Sequence, residues 1–165
     1  MISQYIPSVS RAAILSLLVL AGGCATQPAT SSRPVSESQA PVSSSLGKDA
    51  VQVALRQVGT PYRYGGAAPG GFDCSGLVHY SYLKVGKSVP RTTSQLWNAT
   101  ATVERRKIRA GDLLFFNIDG KMSHVGLYIG GSRFVHAPSS GKKVSVESLE
   151  SDFYRHAFIR AGRPQ

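Results

Sequence analysis

Three side chains in this sequence have types that could perform nucleophilic catalysis together: Cys74, His124 and His136. A thiol attacks as the thiolate, so a nucleophilic cysteine needs a neighbour that lowers its pKa or accepts its proton. One histidine can accept that proton, and the other can fix the tautomer of the first through a ring hydrogen bond. The spacing leaves two alternatives open, which are a pair of partly solvated hairpin histidines and a zinc site.

The cysteine content favours a reactive role for Cys74. The chain has two cysteines, and Cys24 directly follows an N-terminal stretch with one charge, Arg11, and the apolar run 12–20. This stretch is typical of a secretion signal and is too short for a membrane span. An unpaired thiol in an oxidising compartment is either a liability or a reactive group. A disulfide between the two cysteines is the structural alternative.

A helix is predicted to carry Cys74 in its first turn. Asp73 is suited to cap this helix, which runs on to the glycine at position 86. The N-terminus of a helix favours an anion and therefore a thiolate, whereas the Asp73 carboxylate opposes it unless it turns to cap the helix. His79 lies on the same helix but about 140° around it, so it points away from Cys74. We assign structural roles to His79 and His156.

A hairpin is predicted to carry the other two residues. His124 and His136 flank Gly130-Gly131, in two runs with the alternation of β-strands. The histidines share the face away from the core if the turn adds an odd number of residues, whereas a two-residue turn with regular pairing separates them. Gly126 leaves room beside His124 for a substrate or a neighbouring side chain.

The order of elements predicts an α+β fold in one domain, at residues 48–165. Helices are expected from Ala50 to Val58, from Cys74 to Val85 and, as a short third helix with a Thr92–Gln95 capping box, through Leu96 and Trp97. Five short antiparallel strands are expected beyond Gly111: Leu113 to Phe116, His124 to Ile129, Arg133 to Ala137, Val144 to Val146 and Ala157 to Arg160. Residues 24–47 are rich in Ser, Thr and Pro and are predicted to form a flexible linker.

Six motifs along the chain carry a family likeness. They are Gly59 to Gly66, Asp73 to Val78, Pro90 to Thr92, Gly111 to Leu113, His124 to Gly130 and Phe134 to Ala137. Together they resemble the NlpC/P60 family of peptidoglycan peptidases, from about Ala50 to Arg160. The resemblance implies a papain-like fold, with a helix-borne cysteine packed on an antiparallel sheet that presents the histidines. It also implies cleavage of stem peptides, at the γ-D-glutamyl bond to a diamino acid or at a related crosslink, without a cofactor or metal.

The resemblance also assigns roles to single residues. Carried over, Cys74 is the nucleophile, His124 the base and His136 the third polar group. Tyr62 matches a tyrosine that binds the oxyanion together with the Cys74 N–H group; packing in its loop is the alternative.

Three further residues match substrate-binding positions of the family. Asp73 and Ser75 match positions that hold the free amine of the stem peptide in some members, and Arg91 is suited to pair with a substrate carboxylate. A helix cap, a helix residue and a surface cation explain the three equally well. A non-catalytic peptidoglycan-binding lipoprotein on the same fold is the alternative function.

The N-terminal segment resembles a bacterial lipoprotein signal at Leu-Ala-Gly-Gly-Cys. The resemblance implies removal of residues 1–23, a lipid on Cys24 and, because Ala25 does not signal inner-membrane retention, an outer-membrane anchor facing the periplasm. Cleavage beyond Cys24 is the alternative. The formal net charge is +10, and +9 after loss of Arg11 with the signal; it suits peptidoglycan carboxylates or anionic headgroups, or it only aids solubility. No aromatic and basic interleaving points to nucleic acid, and the sequence does not indicate an oligomeric state.

Overall fold

The computed structural model describes residues 42–118 and 120–165. The predicted signal, Cys24 and most of the predicted linker lie outside these residues. The four helices are α1 (Val42–Leu55), α2 (Cys74–Lys84), α3 (Thr93–Asn98) and α4 (Asp152–Ala157). The eight strands are β1 (Ala67–Ala68), β2 (Gly71–Phe72), β3 (Thr100–Val103), β4 (Leu113–Ile118), β5 (Lys121–Gly130), β6 (Arg133–His136), β7 (Ser145–Ser148) and β8 (Phe158–Pro164). No helix within the described ranges is long and apolar enough to cross a bilayer.

Six of the strands form one antiparallel sheet in the order β3-β8-β4-β5-β6-β7. The strands β4 to β7 are neighbours in sequence and form the expected meander. The last strand, β8, returns beside β4 and also pairs with β3. The α+β prediction is confirmed, and the sheet gains a strand, β3, that the sequence analysis did not predict.

The sheet has a hydrophobic cluster on each face. Helices α1 to α3 cover one face, where alternate residues of the hairpin, including Val125, Leu127 and Val135, are fully buried. The other face buries Phe116 and Phe134 together with residues next to α4. This second face carries the histidines and has a hydrophobic cluster of its own, contrary to the prediction that it faces away from the core. Both histidines are therefore buried, which contradicts the alternative of partly solvated rings.

The register of the β5–β6 hairpin places the two histidines on one face. Tyr128 pairs with Phe134 and Gly130 pairs with Arg133, so that Ile129 is an extra residue that forms a bulge. The turn itself has two residues, but the bulge shifts the alternation by one position. The predicted shared face is confirmed, although a bulge in the strand produces it and the loop has no third residue.

Helix α1 begins six residues before the predicted start of the domain, so the end of the predicted linker is wrong. Five of residues 42–47 are valine, serine or glycine, which are weak helix formers, so propensity gives this segment little reason to be helical. Packing supplies the reason: Gly47 is buried, and a Cβ atom there would lie 2.9 Å from the Ala110 carbonyl oxygen. Only glycine allows this close approach of the helix to the 110–111 turn.

Candidate active site

Cys74 occupies the first position of α2, as predicted. Asp73 is the N-cap, and its carboxylate accepts a 2.7 Å hydrogen bond from the Gly76 N–H group. The glycine-rich loop before the helix approaches it closely, because a Cβ atom at Gly76 would lie 2.0 Å from the Gly66 carbonyl oxygen. The helix terminus is therefore fixed by a cap and by glycine contacts that a side chain would block.

The Cys74 sulfur is a free thiol with several polar neighbours among the described residues. The sulfur lies 3.7 Å from the Thr93 hydroxyl oxygen. It donates a hydrogen bond to the Ser123 carbonyl oxygen, 3.9 Å away. Burial raises the pKa of the thiol, and Asp73 adds to this, whereas hydrogen bonds from Thr93 and backbone N–H groups oppose it. This differs from our expectation of a lowered pKa at a helix terminus, because burial outweighs the favourable contacts.

The two histidines are bonded directly to each other. The His124 Nε2 and His136 Nδ1 atoms are 2.7 Å apart, and the side chains are 7% and 1% exposed. Burial lowers the pKa of His124 to about 4. Burial, His124 and Lys142 lower the pKa of His136 to about 3. Both rings are therefore neutral at neutral pH, and the Nδ1 atom of His124 is the nitrogen left to accept a proton from a thiol.

Tyr154 extends this chain and was missed in the sequence analysis. Its hydroxyl lies 3.5 Å from the His136 Nε2 atom. Burial and Glu147 raise the pKa of this tyrosine to about 12, so the hydroxyl keeps its proton. When His124 donates from Nε2, His136 accepts at Nδ1 and donates from Nε2 to Tyr154. The short α4 that carries this tyrosine has no apolar periodicity by which it could have been predicted.

Two adjoining cavities meet at Tyr62, Cys74 and Ser123. The first, called here the Asp73 cavity, has a volume of about 460 Å³. Its other lining residues include Tyr64, Asp73, Ser75, Arg91 and Thr93. The second, called the Lys142 cavity, has a volume of about 340 Å³. Its other lining residues include Ile118, His124, Ser139, Lys142, Phe153 and Tyr154. The thiol is thus open to ligands on two sides.

Tyr62 lies where the family resemblance requires it, at the boundary of both cavities. Its N–H group donates to the Lys142 carbonyl oxygen at 2.8 Å. Burial raises the pKa of its hydroxyl, and the neighbouring Cys74 and Asp73 add to the shift. The hydroxyl is therefore protonated and able to donate, as an oxyanion ligand must. Its catalytic role stays a prediction.

The three predicted substrate-binding residues are bonded to one another. The Arg91 guanidinium binds both oxygens of Asp73, at 2.9 and 2.7 Å, and donates to the Ser75 hydroxyl at 3.0 Å. The same carboxylate also accepts from the Gly65 and Gly76 N–H groups. Burial alone would raise the pKa of Asp73, but these bonds lower it overall. A substrate carboxylate would have to compete with Asp73 for Arg91, so the three binding roles stay predictions.

Other predicted features are found near or away from the cleft. His79 bonds the Val89 carbonyl oxygen and His156 bonds that of Asp152, which fits their structural assignment. The space beside Gly126 is filled by a neighbouring ring, since a Cβ atom would lie 2.4 Å from Phe134. Within the described residues, no cluster of His, Cys, Asp or Glu is arranged to hold a metal ion.

Comparison with known proteins agrees with this geometry. The model of the NlpC/P60 family matches residues 59–163, which include every residue of the cleft discussed above. The chain belongs to the NlpC/P60 family. Membership of this family agrees with the α+β fold.

Individual members of the family resemble the chain over its folded part. It is 38% identical to murein DD-endopeptidase MepH of Escherichia coli K12, over 70% of this chain and 45% of that protein. It is also 38% identical to a γ-D-glutamyl-L-lysine dipeptidyl-peptidase of Bacillus subtilis, over 69% of this chain and 40% of that protein. The crystal structure of the NlpC/p60 domain of peptidoglycan hydrolase SagA superposes with a TM-score of 0.62 at 37% identity, covering 70% of this chain and 97% of that domain. The chain thus spans less than half the length of the two curated relatives.

Proposed function

We propose that this protein is a cysteine endopeptidase that hydrolyses stem-peptide bonds of peptidoglycan. The observation that carries the proposal is a free thiol at the junction of two cavities, one of which also exposes a histidine held by a second histidine. A packing role would not require a nucleophile, a base and an orienting group at the same opening.

The first chemical step forms a thioester. The Cys74 sulfur attacks the carbonyl carbon of the scissile bond while its proton passes to the His124 Nδ1 atom. Burial favours the neutral form of both groups, so the thiol gives its proton to His124 in the course of the reaction. His136 accepts the N–H bond of His124 and so keeps Nδ1 free of a proton before attack.

The tetrahedral intermediate then collapses and the leaving amine takes the proton from His124 as the carbon–nitrogen bond breaks. Negative charge on the carbonyl oxygen is stabilised by the Cys74 N–H group, which has no acceptor within its helix, and by the Tyr62 hydroxyl. Water next attacks the thioester and gives a proton to His124, which returns it to sulfur. The products are a carboxylic acid, an amine and the regenerated thiol.

The names of the relatives support peptidoglycan as the substrate, but they do not agree on which bond is cleaved. One relative is named for DD bonds and another for the bond from γ-D-glutamate to lysine. The bond that this protein cleaves must therefore be determined by digestion of peptidoglycan. Whether loose stems or crosslinks are accepted is part of the same question.

The experiment is digestion of purified peptidoglycan by the protein, followed by mass spectrometry of the released muropeptides. We expect each cleavage to give one fragment with a new carboxylate and one with a new amine, at a rate unaffected by metal chelators. Chelator-sensitive digestion would support the zinc alternative. Absence of new fragments, together with co-sedimentation of the protein with peptidoglycan, would support the binding alternative.

For the N-terminus we propose a lipoprotein signal at residues 1–23, a lipid on Cys24 and an outer-membrane location facing the periplasm. The support is the sequence pattern of an apolar run and small residues directly before this cysteine. Labelling of cells with radioactive palmitate should mark the protein, and Cys24→Ala should remove the label. The matched control, Cys74→Ala, should keep it. A parent protein that stays unlabelled and in the soluble fraction would contradict the anchor.

A further inference from the structure

The two cavities at Cys74 are not equivalent for a substrate that must lose an amine. His124 lines the Lys142 cavity and is absent from the described lining of the Asp73 cavity. In the proposed mechanism His124 gives its proton to the leaving nitrogen, so that nitrogen must lie within reach of this ring. The fragment released as the amine therefore occupies the Lys142 cavity, and the fragment held as the thioester occupies the Asp73 cavity.

The Lys142 cavity presents a positive charge. The Lys142 side chain is exposed, and its ammonium forms no ion pair with any described residue. It is close enough to the catalytic pair to lower the pKa of His136. No carboxylate occurs among the described residues that line this cavity. The cation is therefore available to a ligand, in contrast to Arg91, whose charge is taken by Asp73.

Backbone hydrogen bonds fix the segment that carries this lysine. The Lys142 carbonyl oxygen accepts from Tyr62 at 2.8 Å, and its N–H group donates to Ser139 at 3.1 Å. The Val144 N–H group donates to Thr60 at 2.8 Å, which ties the same segment to the Tyr62 loop a second time. The base of the lysine side chain is thus held beside the thiol.

A peptide fragment that leaves as an amine ends in a carboxylate at its other terminus. In a short stem peptide this carboxylate lies one or two residues from the scissile bond, a distance that a cavity of about 340 Å³ can span. We propose that Lys142 binds a carboxylate of the leaving fragment, so that the Lys142 cavity selects acidic leaving fragments. Phe153, 61% exposed at the rim of the cavity, supplies an apolar surface for the same fragment. This inference rests on the proposed function.

The test uses two synthetic stem peptides that share the bond cleaved in the peptidoglycan digestion. One has a free carboxylate on the leaving fragment and the other has the corresponding amide. We expect the parent protein to prefer the acid by about 5- to 10-fold in kcat/KM, as for a partly exposed charge-assisted pair, and the preference to decrease as salt is added. The variant Lys142→Gln should bring the ratio close to one, and Lys142→Glu should invert it.

Lys143→Gln is the matched control, because Lys143 is exposed but lies outside the described lining of the cavity, and it should keep the parental ratio. A preference that persists in Lys142→Gln, or equal kcat/KM values of the parent for both peptides, would overturn the inference alone. If the parent cleaves neither peptide nor peptidoglycan, the proposed function fails and the inference fails with it.

Discussion

The Asp73 cavity and the Lys142 cavity meet at one thiol, but their charged groups are used differently. On the first side Asp73 and Arg91 are bonded to each other, and backbone N–H groups and Ser75 complete the carboxylate's contacts. On the second side Lys142 forms no ion pair within the described residues, and a histidine pair with depressed pKa values lies beside it. The charges of the Asp73 side are satisfied within the protein. On the Lys142 side, the lysine charge and the histidine proton acceptor are available to a ligand.

This difference indicates that the Asp73 side supports the thiol, whereas the Lys142 side carries out proton transfer in the proposed mechanism. Paired charges at the helix terminus hold Cys74 in place, because each member satisfies the other and neither needs to move during the reaction. Neutral buried histidines instead gain a proton only when the thiol or water gives one up. Substitutions on the Asp73 side should therefore lower stability, and substitutions on the Lys142 side should lower activity or selectivity.

The largest effect among the changes beside the thiol is expected from His124→Ala. Loss of the base should lower kcat by about 10²- to 10⁴-fold, the usual contribution of a positioned general base. His156→Ala is the matched control, since this exposed histidine on α4 bonds only within its own helix. Stem-peptide cleavage by both variants gives the measurement. A His124→Ala variant with parental kcat would remove the chemical distinction between the two sides.

The pH dependence of kcat/KM tests the depressed histidine pKa. The free enzyme needs neutral His124, and its pKa is about 4, so activity is present above that pH and is lost as the pH falls through it. With a peptide whose carboxylates are amidated, we expect kcat/KM to change by less than about twofold between about pH 7 and about pH 5. A base with the ordinary pKa of about 6.5 would lose about 25-fold in kcat/KM over this range, and that result would contradict the buried neutral pair.

Arg91→Leu tests the comparison through the free energy of unfolding. Removing the cation leaves the half-buried Asp73 carboxylate with fewer partners, which should lower the free energy of unfolding by about 1–3 kcal/mol. Lys142→Gln, at an exposed position, should change it by less than about 0.5 kcal/mol. Urea unfolding of both variants provides the values. Equal losses of unfolding free energy in the two variants would show that the Asp73 side contributes no more to stability than the Lys142 side.

Tyr154→Phe should have the smallest effect. The ring contacts with Phe116, Phe134 and His136 remain, and only the hydroxyl 3.5 Å from His136 is lost. We expect kcat to fall by less than about 10-fold, because this hydrogen bond is long and acts on the base through a second ring. The KM value should stay close to that of the parent. If Tyr154→Phe lowered kcat more than His136→Ala does, the hydroxyl would contribute more than this indirect role allows.

Local signals in the sequence predict the parts of the site that depend on neighbouring residues. The Asp73 cap, the Thr92–Gln95 capping box and the shared face of the histidines are all found in the structure. The two caps depend on contacts within a few residues, which a sequence states directly, whereas the shared face of the histidines also requires the bulge at Ile129.

Long-range packing explains what the sequence did not predict. Strand β3 has four residues and pairs with β8 about sixty positions later, so Thr100 meets Pro164. The second core combines Phe116 and Phe134 with residues near α4, although the polar side chains on that face of the hairpin suggested exposure to solvent. The burial that lowers the histidine pKa values arises there, so the protonation states follow from the tertiary structure.

In the proposed mechanism the Cys74 sulfur carries out the cleavage. This role is tested most directly by measuring release of new amines from purified peptidoglycan by Cys74→Ala beside the parent protein. Matching circular dichroism spectra and urea unfolding curves should establish that the variant is folded. We predict a rate at least about 10³-fold lower than that of the parent. Hydrolysis at a comparable rate by the folded variant would contradict the account.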